Sequence, residues 1–391
     1  MPYAFSLDDV AFLRSEQGER ATAACDALPL TDASRLTDVA TARRVVGERY
    51  AAVLETVMLR RKAEARLPGA RGWLFTGDAA QQASAAPVAA HRARRLAGRD
   101  VHDVTCSVGA DLVALARTAR MCVGSDVDEV RLVMARHNCA REGIEPLLVR
   151  ADALRPVTHD AVVVADPARR DSMGRRTWRP QDFVPSLDEL ARVYAGRDLV
   201  VKCAPGISPA AVPWAAEIEL VSLDGQVREA CLWSRDLASA TRRATVLRSD
   251  GTQWTVTDAE PDDVPVGEPG EWIVDPDGAV VRAGLVRHYA ARHGLWQLDE
   301  RIAYLTGDTP PPGVRAFRVR EFDGYSEKAL RAYLRRHDVG RVEILVRGLD
   351  IDPNALRRRL KPRGQGEASV VLTRIGRRPV MFLCRPERIP A

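Results

Sequence analysis

Two hydrophobic periodicities divide the chain. From residue 4 to about 66, apolar residues recur at three and four positions, as in "RLTDVATARRVVGERYAAVLETVMLRRKA", which predicts helices. "LPGARG" (67–72) interrupts the pattern, and "DAAQQASAAPVAAHRARRLAG" resumes it as far as Gly98, a C-terminal stop. From residue 101 short apolar runs alternate with helical stretches: "VHDVTC", "ADLVALARTA", "MCVGSD", "EVRLVMARHNCAREG", "PLLVRAD", "AVVVADP", "SLDELARVYAG", "DLVVKCAP", "ISPAAVPWA". Such repeats predict an α/β fold, a doubly wound parallel sheet with helices on both faces. "IELVSL", "EACLW" and "ATVL" then succeed one another as strands and predict an antiparallel edge.

Residues 258–277 hold eight acidic residues, several prolines and no Lys or Arg, which marks a boundary. In "EWIVDPDGAVVRAG", Asp277-Gly278 between two apolar runs reads as a hairpin. Residues 315–385 read β-α-β-α-β-β and predict a small ferredoxin-like α+β layer. The expected organisation is therefore a helical region (1–75), an α/β domain (76–250), an acidic linker and hairpin region (251–314) and a basic C-terminal domain (315–391).

Composition adds three constraints. With 46% hydrophobic and 28% charged residues the chain has the make-up of an ordinary soluble protein. Its net charge of +5 is uneven: from Gly313 onward there are 19 Lys and Arg against 9 Asp and Glu, which suits a polyanion as well as a solvated surface. Seven cysteines without a C-x-x-C pair argue against a zinc site and a disulfide framework, so no metal is expected. "MPYAFSLDDVAFLRSEQ" has no signal-peptide pattern and no apolar run approaches about 18 residues, so a cytoplasmic protein without a membrane partner is expected.

Open parallel sheets bind ligands beyond the carboxyl ends of their strands. The first tip, "DVTCSVGADLVALA", makes a tight turn of Cys106, Ser107, Val108 and Gly109, where Gly109 lets backbone approach a ligand. Asp126 ends the second strand about 20 residues later, the usual arrangement for gripping a ribose. Asp152 ends the third, and Asp166-Pro167 the fourth. One glycine without a phosphate cradle suits a nucleoside lacking phosphates, and S-adenosylmethionine fits: ribose on Asp126, adenine near Asp152, the methionine end on the turn.

These residues carry a resemblance. "DVTCSVGADLVALA", "VGSDVDEVRLVMARHNC" and "DPARRDSMGRRTW" resemble the sequential motifs of class I S-adenosylmethionine-dependent methyltransferases, within them a bacterial group with a THUMP-like C-terminal domain. "SAAPVAAHRA" (84–93) resembles the pre-motif helix of trimethylguanosine synthase, an RNA-cap methyltransferase. The resemblance implies a Rossmann-like methyltransferase sheet with S-adenosylmethionine held by Ser84, Thr105, Cys106, Ser107, Gly109, Asp126, Val127, Asp152 and Ala153. It implies catalysis at Asp166 and Pro167, where relatives carry Asp-Pro-Pro-aromatic or Asn-Pro-Pro-aromatic. Here Ala168-Arg169 replaces Pro-aromatic, and Trp178 is the nearest aromatic that could stack on a base.

Asp166 and the Pro167 carbonyl suit an acceptor amine whose lone pair must be turned toward a methyl group. Arg169, Arg170, Arg175 and Arg176 suit phosphates, or salt bridges to Asp171 and Asp160. With Trp178 and Lys202, Arg169 and Arg170 form the expected substrate-binding set, and RNA is the expected partner, its methylated atom a base nitrogen. Three alternatives stand: a pyrimidine C5-methyltransferase with Cys203 as nucleophile, a non-catalytic RNA-binding protein with a relict fold, and a small-molecule methyltransferase.

Overall fold

The computed structural model describes residues 3–168 and 179–388, which divide into two compact units. The first comprises 1–218 with 229–239 and 247–252, the second 219–228, 240–246 and 253–391.

The first unit opens with α1 (Leu7–Leu13), α2 (Glu16–Asp26), α3 (Arg35–Val46) and α4 (Tyr50–Glu64). Their apolar faces enter one core with the sheet: Val10, Leu13, Val53 and Val57 cluster with Leu112, Val162 and Val200. α5 (Gly77–Gln82) and α6 (Ala86–Arg95) follow as two helices where the sequence reads as one. Pro87, near the start of α6, lacks the N–H that would bond back to Ala83, so the helix restarts there.

Next come β1 (Asp100–Asp103), α7 (Ala110–Ala116), β2 (Met121–Asp126), α8 (Glu129–Arg141), β3 (Leu147–Arg150), β4 (Val162–Ala165), α9 (Leu187–Val193) and β5 (Leu199–Cys203). β6 (Glu217–Leu223) and β7 (Gln226–Trp233) succeed them. "ISPAAVPWA" forms only a 3-10 turn at Pro209–Ala211, because Pro209 and Pro213 remove backbone donors. In the first unit the strand order is β3-β2-β1-β4-β5-β7. β1 to β5 are parallel, and β7 runs antiparallel to β5, as the successive strands predict. The order reverses at β1, whose neighbours are β2 and β4, so the crevice lies beyond the tips of β1 and β4.

The second unit holds most of β6, β8 (Arg242–Leu247) and β9 (Gln253–Thr257), adjacent in that order. After them come β10 (Trp272–Val274), α10 (Gly278–Arg282), α11 (Val286–His293), β11 (Trp296–Gln297) and β12 (Leu305–Gly307). The stretch read as linker and hairpin is thus structured, and Asp277-Gly278 is a helix start rather than a hairpin turn. The Asp277 side chain accepts the Ala279 N–H, and Ala279 and Val280 bury themselves in the first turn.

β13 (Arg315–Gly324), α12 (Glu327–Arg336), β14 (Val339–Val346), α13 (Pro353–Leu360), β15 (Gly366–Ile375) and β16 (Arg378–Arg388) keep the expected β-α-β-α-β-β order. With β10, β11 and β12 these four strands form a seven-stranded sheet, β11-β12-β10-β13-β16-β15-β14. β14 and β15 are parallel, a connectivity that differs from the β-α-β-β-α-β of a ferredoxin. Leu330, Leu334 and Leu356 of the helices cover one core, and Phe317, Phe382 and Tyr304 build a second.

Candidate active site

A cavity of about 560 Å³ lies at the tips of β1, β2 and β4, within the first unit. It is lined by Thr105, Cys106, Ser107, Asp126, Val127, Asp152, Ala153, Asp166 and Lys202, so nine of the residues singled out in the sequence converge there. The turn after β1 forms as read, with the Gly109 N–H donating to the Cys106 carbonyl at 2.8 Å. Gly109 itself does not line the cavity. At φ +87° it starts α7, and a Cβ there would sit 3.4 Å from Ala135.

Ser107 is also left-handed, at φ 48°. Two anchors hold this strained residue. Its N–H donates to Asp126 at 3.0 Å, and the buried Asn138 amide of α8 donates to the Val108 carbonyl at 2.8 Å. Asn138 also bonds both backbone groups of Leu74, tying the turn to the N-terminal region. The other oxygen of Asp126 accepts the Asp128 N–H at 2.9 Å. Each oxygen keeps a second lone pair toward the cavity. Further along the rim, exposed Asp152 caps its own turn by accepting the Leu154 N–H, and the Tyr194 hydroxyl fixes the Ala153 carbonyl at 2.6 Å.

Asp166 is held from two sides. Its N–H donates to Thr105 Oγ1 at 2.7 Å, and Lys202 Nζ reaches its Oδ2 at 2.5 Å. Pro167 is buried and is not among the cavity's lining residues, and Ala168 exchanges two backbone bonds with Val184. Arg169, Arg170, Arg175, Arg176 and Trp178 lie outside the described residues.

Beneath Asp166 runs a charged network that the sequence reading missed. Arg92 of α6, 2% exposed, pairs with Glu229 of β7 and, at 3.1 Å, with Asp111 of α7. Ser84, expected at the cofactor, is buried and not among the lining residues, donating to Asp111, which does line the cavity, and to Glu229 at 3.3 and 3.4 Å. Burial opposes the charge on Asp111, yet Arg92 and Lys202 hold its carboxyl below the usual range. Burial likewise opposes the charge on Lys202, and Asp166 and Asp111 more than offset it. Asp103, at the tip of β1, has no ion pair among the described residues, and the pull of Arg92 on its carboxyl is outweighed. Burial, with Asp111 adding, pushes its carboxyl up to about 8. The missed signals were an arginine in register with Val88 on the buried face of α6 and an acid ending the first strand.

Asp103→Asn is therefore expected to stabilise the fold. The folded chain keeps a proton on Asp103 up to about pH 8. The unfolded chain releases that proton near pH 4, so native stability is lost as pH rises between the two values. The variant should melt higher at pH 8, by about 2–4 °C for each kcal/mol recovered, and gain little at pH 4. Circular-dichroism melts at both pH values check this.

Comparison with known proteins decides the family. An uncharacterized S-adenosylmethionine-dependent methyltransferase of Mycobacterium tuberculosis, found in strains CDC 1551 and H37Rv, is 56% identical over 357 residues, covering 88% of this chain and 99% of the relative. The chain belongs to the S-adenosylmethionine-dependent methyltransferases. The THUMP domain-like family matches residues 314–386 of this methyltransferase, and a domain of unknown function matches residues 6–63. A crystal structure described as a candidate methyltransferase from Porphyromonas gingivalis W83 shares the fold, with a TM-score of 0.75 at 20% identity over 99% of this chain and all of that one.

S-adenosylmethionine is the cofactor, and the residues present fit it. The cavity has the volume of a small-molecule site. Its lining carries Asp78, Asp103, Asp111, Asp126, Asp152, Asp166 and Glu189 against Arg92, Arg131 and Lys202. That surplus suits a cationic sulfonium and ammonium, not a pyrophosphate. Among the described residues no group of His, Cys, Asp and Glu is arranged to hold a metal ion, and no helix is long and apolar enough to cross a membrane.

Proposed function

We propose that this methyltransferase acts on a nitrogen of a base in structured RNA. The observation that carries the reading is the double anchoring of Asp166 in the wall of the cofactor cavity. The bound cofactor supplies a methyl group on a positively charged sulfur. In this reading Asp126 takes the ribose hydroxyls, Asp152 and Ala153 flank the adenine, and the 105–109 turn with Asp103 faces the methionine end. Asp166 Oδ1, which takes no hydrogen bond among the described residues, accepts an N–H of the acceptor and turns the nitrogen lone pair toward the methyl. The same oxygen stabilises the charge that builds on that nitrogen and takes its proton.

The THUMP domain-like match and the basic excess after Gly313 support RNA as acceptor. Roles for Arg169 and Arg170 on phosphates, and for Trp178 on the base, belong to the same proposal. Cytoplasmic action belongs to it as well.

The C5 alternative loses ground. Cys203 is 5% exposed, pairs in register with Ala230 and is not among the residues lining the cavity. Neighbouring residues on a strand face opposite sides, so Lys202 and Cys203 cannot both enter it. Cys203→Ser is expected to keep methyl transfer within about threefold, the small effect of a conservative swap away from the reacting atoms. Loss of transfer with cofactor binding intact would restore the thiol mechanism.

Mass spectrometry of nucleosides from a deletion strain and its parent tests the function. Loss of one N-methylated nucleoside in the deletion strain is expected. Loss of a C5-methylated pyrimidine, or no difference, would overturn the reading.

A further inference from the structure

The geometry points to Lys202 as the residue that positions Asp166, holding its carboxylate aimed, rather than one that grips the acceptor. This rests on the reading of Asp166 as the acceptor-facing group. An ammonium has three donors. Those of Lys202 have three acceptors around them: Asp166 Oδ2 at 2.5 Å, the Gln82 carbonyl at 3.4 Å and Asp111 Oδ2 at 3.8 Å. The first is a short charge-assisted hydrogen bond and the last an ion-pair contact; with the side chain 11% exposed, the ammonium is directed at these protein acceptors.

The support behind Lys202 is a chain of ion pairs. Asp111 lies between Lys202 and Arg92, and Arg92 between Asp111 and Glu229. A line of alternating charge thus runs from β7 through α6 and α7 to β5 and ends on Asp166. Asp111 stands in the first turn of α7, the helix that Gly109 begins at the cofactor turn. Asp166 is in this way tied to the helix whose first turn lines the cavity.

The charges facing this pair define what Lys202 does. Asp166 from β4, Asp111 from α7 and Glu229 from β7 attract its ammonium, and Arg92 from α6 opposes it. Asp166 also faces Asp103 of β1. Without Lys202, Asp166 would sit against acids with no cation of its own. Its Oδ2 would then lack the donor that fixes it, and the carboxylate would be free to turn Oδ1 away from the acceptor.

Two measurements on the full-length protein test this. The first needs no acceptor: Asp166→Cys places a thiol beside Lys202, while the seven native cysteines are all buried. Iodoacetamide alkylation across pH is expected to show that thiol ionising about one pH unit or more lower with Lys202 than in Asp166→Cys/Lys202→Met. Coincident profiles would overturn the proposal.

The second is single-turnover transfer from S-adenosylmethionine to RNA of the deletion strain. Lys202→Met should slow it about 30-fold or more, with cofactor affinity within about threefold. Lys202→Arg should return part of the rate. A rate loss that Lys202→Arg does not relieve would mark Lys202 as structural. If wild-type protein transfers nothing to RNA while the thiol result holds, the acceptor reading fails and the positioning role stands.

Discussion

Asp166→Asn is expected to lower the rate of methyl transfer about 10²–10³-fold, the cost of removing one preorganised electrostatic contact. The amide keeps the shape of the carboxylate and the Thr105 bond to its backbone, which involves only the Asp166 N–H. It loses the charge that Lys202 holds, and it can turn an NH₂ toward an acceptor that is itself a donor. The loss should therefore fall on kcat and kcat/KM alike, because the interaction forms fully only as charge builds on the nitrogen. Affinity for S-adenosylmethionine, measured by titration calorimetry, should stay within about threefold, since Asp126 and the 105–109 turn are untouched. Collapse of that affinity would instead place Asp166 among the cofactor groups.

Arg92→Met carries the largest expected effect on folding. Arg92 is almost fully enclosed and stands between Glu229 and Asp111, so its removal strands two buried carboxylates. Breaking a buried pair from one side costs about 3–5 kcal/mol, a melting point lower by about 10 °C. Glu229→Gln added to Arg92→Met should recover part of the loss, because one stranded charge is then gone. A loss below about 1 kcal/mol in Arg92→Met would show that the network contributes little to the fold. Methyl transfer should fall as well, because Asp111 then loses the partner that keeps it in place beside Lys202.

What the sequence revealed and what it hid differ in range. Asp126, Asp152 and Asp166 were legible because each ends an apolar run and a parallel sheet puts such ends on one rim. The turn at 106–109 was legible for the same local reason. The Arg92–Glu229 pair was not, since its members are 137 positions apart and each reads alone as an ordinary surface charge. Ser84 was read without its partners, because the break between α5 and α6 that sets it among those charges joins residues far apart in sequence. Lys202 was read as a donor to substrate, and only the distance to Asp166 shows that its ammonium meets that carboxylate. Asp277-Gly278 carried the same two-residue signal for a hairpin and for a helix start. The choice turned on the buried pair Ala279 and Val280, a tertiary fact.

Transfer of a radiolabelled methyl group from S-adenosylmethionine to total RNA tests the central claim most directly. The RNA comes from a strain lacking this methyltransferase and from its parent, with wild-type protein and Asp166→Asn side by side. Label entering only the deletion-strain RNA, and only with wild-type protein, is the predicted result. No label in either RNA, from protein that binds the cofactor, would contradict it.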